Sequence, residues 1–458
     1  MTSPHAHPRR WRLAAALALA VALPVQADSV TDWNAVASSG TVLPRFGGPQ
    51  QQTRAMAIVQ IAVHDALNAI DSRFDSYNDI PPAAPGASPD AAVAAATRTT
   101  LLAMIGALPP PPSPAEAANR IAAINAINAA YDAAIGPGAP SASEAAGIAT
   151  GEDAADAVIA LRYASNGMGL VPIDGSGTPN SPPYALAAAP GVHQATPAPE
   201  FPASTTPAFT GWKFVTPFAV TSATQFRAKP GRILNLASAQ YAQEYKEVKA
   251  VGDARVRGAN PDSELSNIPR FWIGGGLDWN ANARAVVAGR GLDRWRHARL
   301  FALLNMSTAD ALITNIESKY LYNFWRPVTA IRWANDGNPN TSSDPTWRPY
   351  IQTPPYPDYP CASTAMTGAA AQTLRRFFST NALPFTRTVN APAVPLPAPM
   401  VELPAKQITR GFSTLSQAES DQAMGRVYAG IHFREGCFVG LHQGNEVADW
   451  VFARYLQP

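Results

Sequence analysis

Apolar residues recur at helical spacing through much of the chain. In the stretch from Arg54 to Ile70 (RAMAIVQIAVHDALNAI), Ile58, Ile61, Ala62, Asp65 and Ala69 share one face, which predicts a largely buried helix. Alanine-rich runs from Pro89 to Ile105 and from Pro114 to Ile135 predict two more, because alanine has the lowest intrinsic cost in a helix and lets neighbours approach closely. Between Ala164 and Gly231 this pattern stops. Pro, Gly, Ser and Thr dominate there, as in GSGTPNSPP and ATPAPEFPASTTPAF, so the segment is expected to wrap the surface or roof a cleft. Periodicity returns after Gly231, with helices expected at about 232–251, 281–321, 361–379, 407–430 and 437–456. Pro-rich connections are expected at about 333–360 and 381–404. No stretch reads as a set of alternating strands, and no internal repeat is evident. The expected fold class is all-α: helices packed on helices, as two bundles or one fused body, with long Pro-rich loops.

Composition narrows the class. The 458 residues carry 35 Lys and Arg against 33 Asp and Glu, a formal charge of +2, so there is no single-sign field of the kind that grips nucleic acid. Hydrophobic residues make up 47% and charged residues 15%, which suffices for a sizeable core and excludes a disordered chain. At the N-terminus, Arg9, Arg10 and Arg12 precede an apolar run from Leu13 to Leu23 and the small-residue site Val25, Gln26, Ala27. This predicts a signal peptide over 1–27, with a run too short to cross a bilayer. Its cleavage removes three basic and no acidic residues and leaves a charge of −1. The product is expected to be soluble, periplasmic or secreted, with no membrane span. It divides into an N-terminal helical region with the Pro/Gly-rich loop, 28–230, and a C-terminal helical bundle, 231–458. An oxidising compartment would let Cys361 and Cys437, the only two cysteines, form a disulfide, which the sequence leaves open.

Three polar clusters in the C-terminal half invite a chemical reading. Lys319 and Arg326 are seven positions apart, about two helical turns, so they are expected to project from one face before Pro327 forces the chain off the helix. They form either a seat for an oxyanion or a pair of surface cations. The run Pro357-Asp358-Tyr359-Pro360-Cys361-Ala362-Ser363-Thr364 opens an apolar helix, with Ser363 or Thr364 as expected cap. Its free N–H groups and positive dipole end suit an anion, although an ordinary capped helix looks the same. Arg426 and His432 would stand roughly 120° apart on a continuous helix, so they converge only if the helix breaks near Gly430. The alternative for His432 is a buried ring satisfied by a carbonyl. Of the other histidines beyond Ala27 (His64, His193, His297 and His442), His64 lies in an apolar helix and His297 among cations, and both read as structural.

Together these clusters resemble the vanadium-dependent haloperoxidase and type 2 phosphatidic acid phosphatase superfamily, whose signature reads K-x6-R-P, then P-S-G-H, then S-R-x5-H. Lys319, Arg326 and Pro327 match the first part in full. Arg426 and His432 match the third, with Gly425 in place of Ser. The surrounding ARLFALLNMSTADALITNIESKYLYNFWRP and YPDYP look like the bacterial haloperoxidase branch. The resemblance implies two fused four-helix bundles, chloroperoxidase-like, with an oxyanion pocket at the end of one. It implies that Lys319, Arg326 and Arg426 neutralise vanadate, that the Cys361–Ala362 backbone donates to it, and that His432 bonds the vanadium. One departure matters: where the family has Ser, Gly and His, this chain has Cys361, Ala362 and Ser363. The family's His there assists proton transfer, a catalytic position that Ser363 fills poorly near neutral pH. His442 is a candidate substitute base. The implied activity is a vanadate-dependent haloperoxidase-like oxidoreductase that uses hydrogen peroxide to oxidise halide, impaired by Ser363. The alternatives are an acid phosphatase, with a phosphate ester as substrate and His432 as nucleophile, and a non-catalytic oxyanion-binding member.

Overall fold

The computed structural model describes residues 28–196, 206–396 and 400–458, so the signal-peptide segment 1–27 lies outside the described residues. The chain is mostly helical, as expected. Its N-terminal half contains α1 (Ser29–Ala37), α2 (Pro49–Ile70), α3 (Pro89–Gly106), α4 (Pro114–Ile135) and α5 (Ala142–Ala160). A small hairpin of β1 (Tyr163–Ser165) and β2 (Leu170–Pro172) follows. Then come α6 (Ala239–Val251), α7 (Ala254–Ala259), α8 (Glu264–Phe271), α9 (Trp279–Val287), α10 (Arg294–Tyr322) and α11 (Pro327–Arg332). The C-terminal part holds α12 (Ala362–Phe378), a hairpin of β3 (Phe385–Ala391) and β4 (Lys406–Phe412), then α13 (Leu415–Tyr428) and α14 (Arg434–Arg454).

Helix α10 is the axis of the body. From His297 to Lys319 every residue on it is buried, because α2 packs along it on one side and α12 and α14 pack on the other. The helices α2, α3 and α5 form one packed group, and α12, α13 and α14 form another, with α10 common to both. Within the Pro-rich segment, Asp310 on α10 accepts from the N–H groups of Phe218, Ala219 and Val220 at 2.7–2.8 Å, which ties that loop to the core. Burial pushes this carboxyl up to about 6 even against those three donors.

The structure corrects the sequence reading at several elements. The expected helix at 281–321 is two helices, broken where Gly289 and Gly291 take positive φ (72° and 66°). The expected helix at 232–251 begins as a separate 3₁₀ turn, and α6 starts only at Ala239. The expected helix at 407–430 is β4 followed by α13, and the connection at 381–404 contains β3. The two strands pair antiparallel from Phe385↔Phe412 to Ala391↔Lys406 and so do alternate. Their inward row includes Arg387, which donates to Asp278 at 2.8 Å, and Arg410, which donates to Asp421 at 2.8 Å. Charged residues in that row hide the period-2 signal.

Helices α12 and α14 cross so closely that three glycines are required at the seam. A Cβ on Gly444 would sit 2.0 Å from the Ala365 carbonyl oxygen, one on Gly368 2.2 Å from that of Leu441, and one on Gly440 2.4 Å from that of Cys361. These contacts hold the N-terminus of α12 against α14. Gly444→Ala is therefore expected to destabilise the protein by about 1–3 kcal/mol through overpacking. Gly106→Ala, facing open space at the end of α3, should be neutral or slightly stabilising. Urea unfolding of both variants checks this, and a Gly444→Ala protein as stable as wild type would refute the seam argument.

A candidate oxyanion site at the end of the C-terminal bundle

Lys319 lies in the last turn of α10, and Arg326 does not share that helix. Asn323 closes α10 in the left-handed conformation (φ 50°, ψ 35°), with its N–H on the Lys319 carbonyl at 2.8 Å. The chain then runs extended beside residues 191–193, with Trp325 N–H donating to Gly191 O at 3.0 Å and His193 N–H to Asn323 O at 2.9 Å. Arg326 becomes the N-cap of α11, where Pro327 fits the first helical position. The expectation of two cations on one helical face is corrected: they meet because the helix ends between them.

Both are fully buried. Lys319 Nζ donates to the carbonyls of Pro357 and Asp358, each at 2.9 Å. Arg326 donates through Nε to Tyr356 O and through Nη1 to Ile431 O, both at 2.8 Å, while its Nη2 has no partner. The third cation, Arg426, sits in the last turn of α13, where Nη1 donates to Trp272 O at 3.2 Å and Nε has no partner. Gly430 (φ 77°) then turns the chain after α13, and His432 enters the same site. Its Nε2 is 2.9 Å from Arg326 Nη1, and its Nδ1 is 2.8 Å from Asp358 Oδ1. Asp358 also lies 3.8 Å from Arg326. The sequence motif contained Asp358 without assigning it a role.

The P-S-G-H position departs from expectation in detail. Cys361, rather than Ser363 or Thr364, is the N-cap of α12, and its side chain makes no capping bond. The Cys361 N–H already donates to Gly436 O at 2.9 Å, so of the expected Cys361–Ala362 donors only Ala362 remains, joined by the other first-turn N–H groups, which have no partner within the helix. Ser363 Oγ accepts from Gln422 Nε2 at 3.1 Å and borders a cavity of about 290 Å³ that Ala362, Tyr356, Gln50 and Arg426 also line. His442 is mostly exposed on α14 and faces Glu446 at 3.4 Å, so it is not a substitute base in this site. His64 reaches Asp75 O at 3.1 Å and His297 pairs with Asp28, both structural contacts.

Cys361 and Cys437 are free, buried thiols, and each Sγ lies within 4.8 Å of the other and of a His432 nitrogen. Burial alone would raise the Cys361 thiol, but its bond from Cys437 and the nearness of His432 and Arg426 outweigh burial and hold it low, while Cys437 is pushed up. These three donors could grip a soft metal ion, but the neighbouring Lys319, Arg326 and Arg426 repel a cation. Three cations outnumber the carboxylates near them, Asp358 and an Asp278 already paired with Arg387, and this favours an anion. The unpartnered Arg326 Nη2 and Arg426 Nε are buried donors lacking acceptors, which a tetrahedral oxyanion would supply.

The structure superposes on a bacterial vanadium-dependent iodoperoxidase with a TM-score of 0.67, at 21% identity and covering 94% of this chain and 96% of that one. It superposes on a holo-type bacterial vanadium-dependent chloroperoxidase equally well (0.67), at 15% identity and covering 94% and 98%. The fold is that of the vanadium haloperoxidases. Residues 299–458 match the family model for the VCPO second helical-bundle domain. A vanadium chloroperoxidase from Curvularia inaequalis is 28% identical over 30% of this chain, and the match spans 27% of that relative's length.

Burial, followed by Arg326, pushes Lys319 down to about 7, against opposing pulls from Cys361, Asp358 and Cys437. Its positive charge is therefore present below that pH and lost above it. Sulfate, whose own charge is constant in this range, should bind roughly tenfold more weakly at about pH 9 than at about pH 6. Lys319→Met should flatten that dependence. Calorimetric titration reads both, and a slope unchanged in the variant would assign it to another group.

Proposed function

We propose that this chain is a vanadate-dependent haloperoxidase-like oxidoreductase, exported to the periplasm or secreted, that uses hydrogen peroxide to oxidise halide. The observation that carries this reading is the convergence of Lys319, Arg326 and Arg426, two of them with orphaned N–H donors, around His432. When bound, vanadate would supply a Lewis-acid centre that activates peroxide toward halide. Lys319, Arg326 and Arg426 would neutralise its oxygens, and Ala362 N–H would donate to them. His432 would bond the vanadium through Nε2, with Asp358 Oδ1 2.8 Å from Nδ1 to orient the ring. In the structure Arg326 Nη1 faces that lone pair, so Arg326 would turn from His432 to the oxyanion on binding. Ser363 offers a hydroxyl where proton transfer calls for an imidazole, which lowers the expected rate without removing the anion seat. Among the described residues no helix is long and apolar enough to cross a membrane.

The Asp358–His432 pair also favours a second reading, an acid phosphatase in which His432 attacks phosphorus and the cations stabilise the equatorial oxygens. One experiment separates the readings. The cleaved protein is titrated with vanadate and assayed for bromide- and peroxide-dependent halogenation, and in parallel for phosphate release from a model ester. The proposal expects vanadate-dependent halogenation, lost in His432→Ala and raised in Ser363→His by up to about 10²–10⁴-fold. Phosphate release without halogenation would replace it with the phosphatase reading. Tight vanadate binding with neither turnover would leave a non-catalytic oxyanion binder.

A further inference from the structure

One buried imidazole near two of the three cations has no part in the reading above. His193 comes from the Pro-rich segment, which sequence reasoning expected to wrap the surface or roof a cleft. Its backbone is zipped antiparallel to the stretch that joins Lys319 to Arg326: Val192 bridges Phe324, and His193 N–H donates to Asn323 O at 2.9 Å. The residue is 1% exposed, and among the described residues neither ring nitrogen has a hydrogen-bond partner. A buried polar ring left in this state is costly unless something else satisfies it. The charged groups acting on the ring are Arg326 and Lys319. The unsatisfied imidazole thus belongs to a strand that runs along the link between Lys319 and Arg326 and feels the charge of both, and Arg326 also has a nitrogen that lacks an acceptor.

We propose that His193 is a further ligand of the oxyanion held by Lys319 and Arg326, contacting it as an uncharged imidazole whose lone pair accepts from a hydroxyl of the anion. The inference rests on the oxyanion reading of the site. Burial first, then Arg326 and Lys319, push the His193 ring down to about 3, so it stays neutral and keeps one donor and one acceptor. A protonated tetrahedral oxyanion offers a hydroxyl to that lone pair. A third guanidinium or ammonium could donate only. His193 therefore distinguishes a hydroxyl-bearing oxyanion, such as vanadate or phosphate near neutral pH, from sulfate, which has no proton to give. Ser363 leaves α12 without an imidazole, and His193 brings one to the cations from a different loop.

The test is calorimetric titration of the cleaved protein with phosphate, vanadate and sulfate, for wild type, His193→Phe and His193→Gln, with the melting temperature of each recorded without anion. His193→Phe removes both polar atoms and keeps the ring volume. It is expected to melt no lower than wild type, because it also removes the unsatisfied nitrogens. It should bind phosphate and vanadate about ten- to hundredfold more weakly while changing sulfate affinity less than threefold. His193→Gln, with one donor and one acceptor on its amide, should recover most of the loss. Unchanged phosphate and vanadate affinity in His193→Phe would overturn the proposal. So would equal losses for all three anions together with a lower melting temperature, which would mark a structural residue. Should the wild-type protein bind none of the anions, the oxyanion reading itself falls and this inference with it.

Discussion

Everything distinctive here follows from placing Lys319, Arg326 and Arg426 in one apolar body. Taking such ions out of water costs several kcal/mol each, even after relaxation. The protein offsets this with carbonyls: Pro357 and Asp358 on Lys319, Tyr356 and Ile431 on Arg326, Trp272 on Arg426. Asp358 lies among them, and Asp278, which also feels Arg426, is already paired with Arg387. The compensation is incomplete, because guanidinium nitrogens on two of the three side chains have no acceptor. An anion completes it, which is why the site has a chemical direction before any guest is named.

Carbonyls can serve this way only where the backbone is not using them in a helix. The site is accordingly built where helices stop. Asn323 ends α10, Gly430 turns the chain after α13, and Cys361 starts α12. The glycine seam between α12 and α14 fixes the third of these, and the Gly252 carbonyl, which a Cβ on Gly430 would meet at 2.4 Å, leaves only glycine at the second. Rigid helices thus present short irregular segments, and those segments do the binding.

How much of this could be read in the sequence depended on whether side-chain pattern or tertiary contact decided the outcome. The helices α2, α3, α4, α12 and α14 were legible from periodicity, and the break near Gly430 followed from the need to bring Arg426 and His432 together. Helix α5 was missed because its buried stripe is Gly147, Thr150, Gly151, Ala154 and Ala155 before Val158 and Ile159 at its end, which gives little hydrophobic contrast along most of its length. The β3–β4 hairpin was missed because Arg387 and Arg410 occupy inward positions, neutralised by Asp278 and Asp421, acids distant in sequence or on a following helix. Cluster membership survived these errors, since Lys319, Arg326, Arg426 and His432 do meet. Asp358, Cys437 and His193 did not announce themselves, because nothing in local spacing says that a loop 130 residues upstream lies beside Arg326.

The shared helix α10 also separates two notions of a domain. The region that matches the family model begins at residue 299, inside a helix that starts at Arg294 and is covered along one flank by α2. A fragment cut at that boundary would lose the Asp293 cap and the partner of a whole apolar flank, and would present to water a surface on which Leu300, Leu303, Leu304 and Ile313 have no exposure to spare. The family match and autonomous folding therefore follow different borders in this protein, and the N-terminal helices are part of what keeps the anion seat in shape.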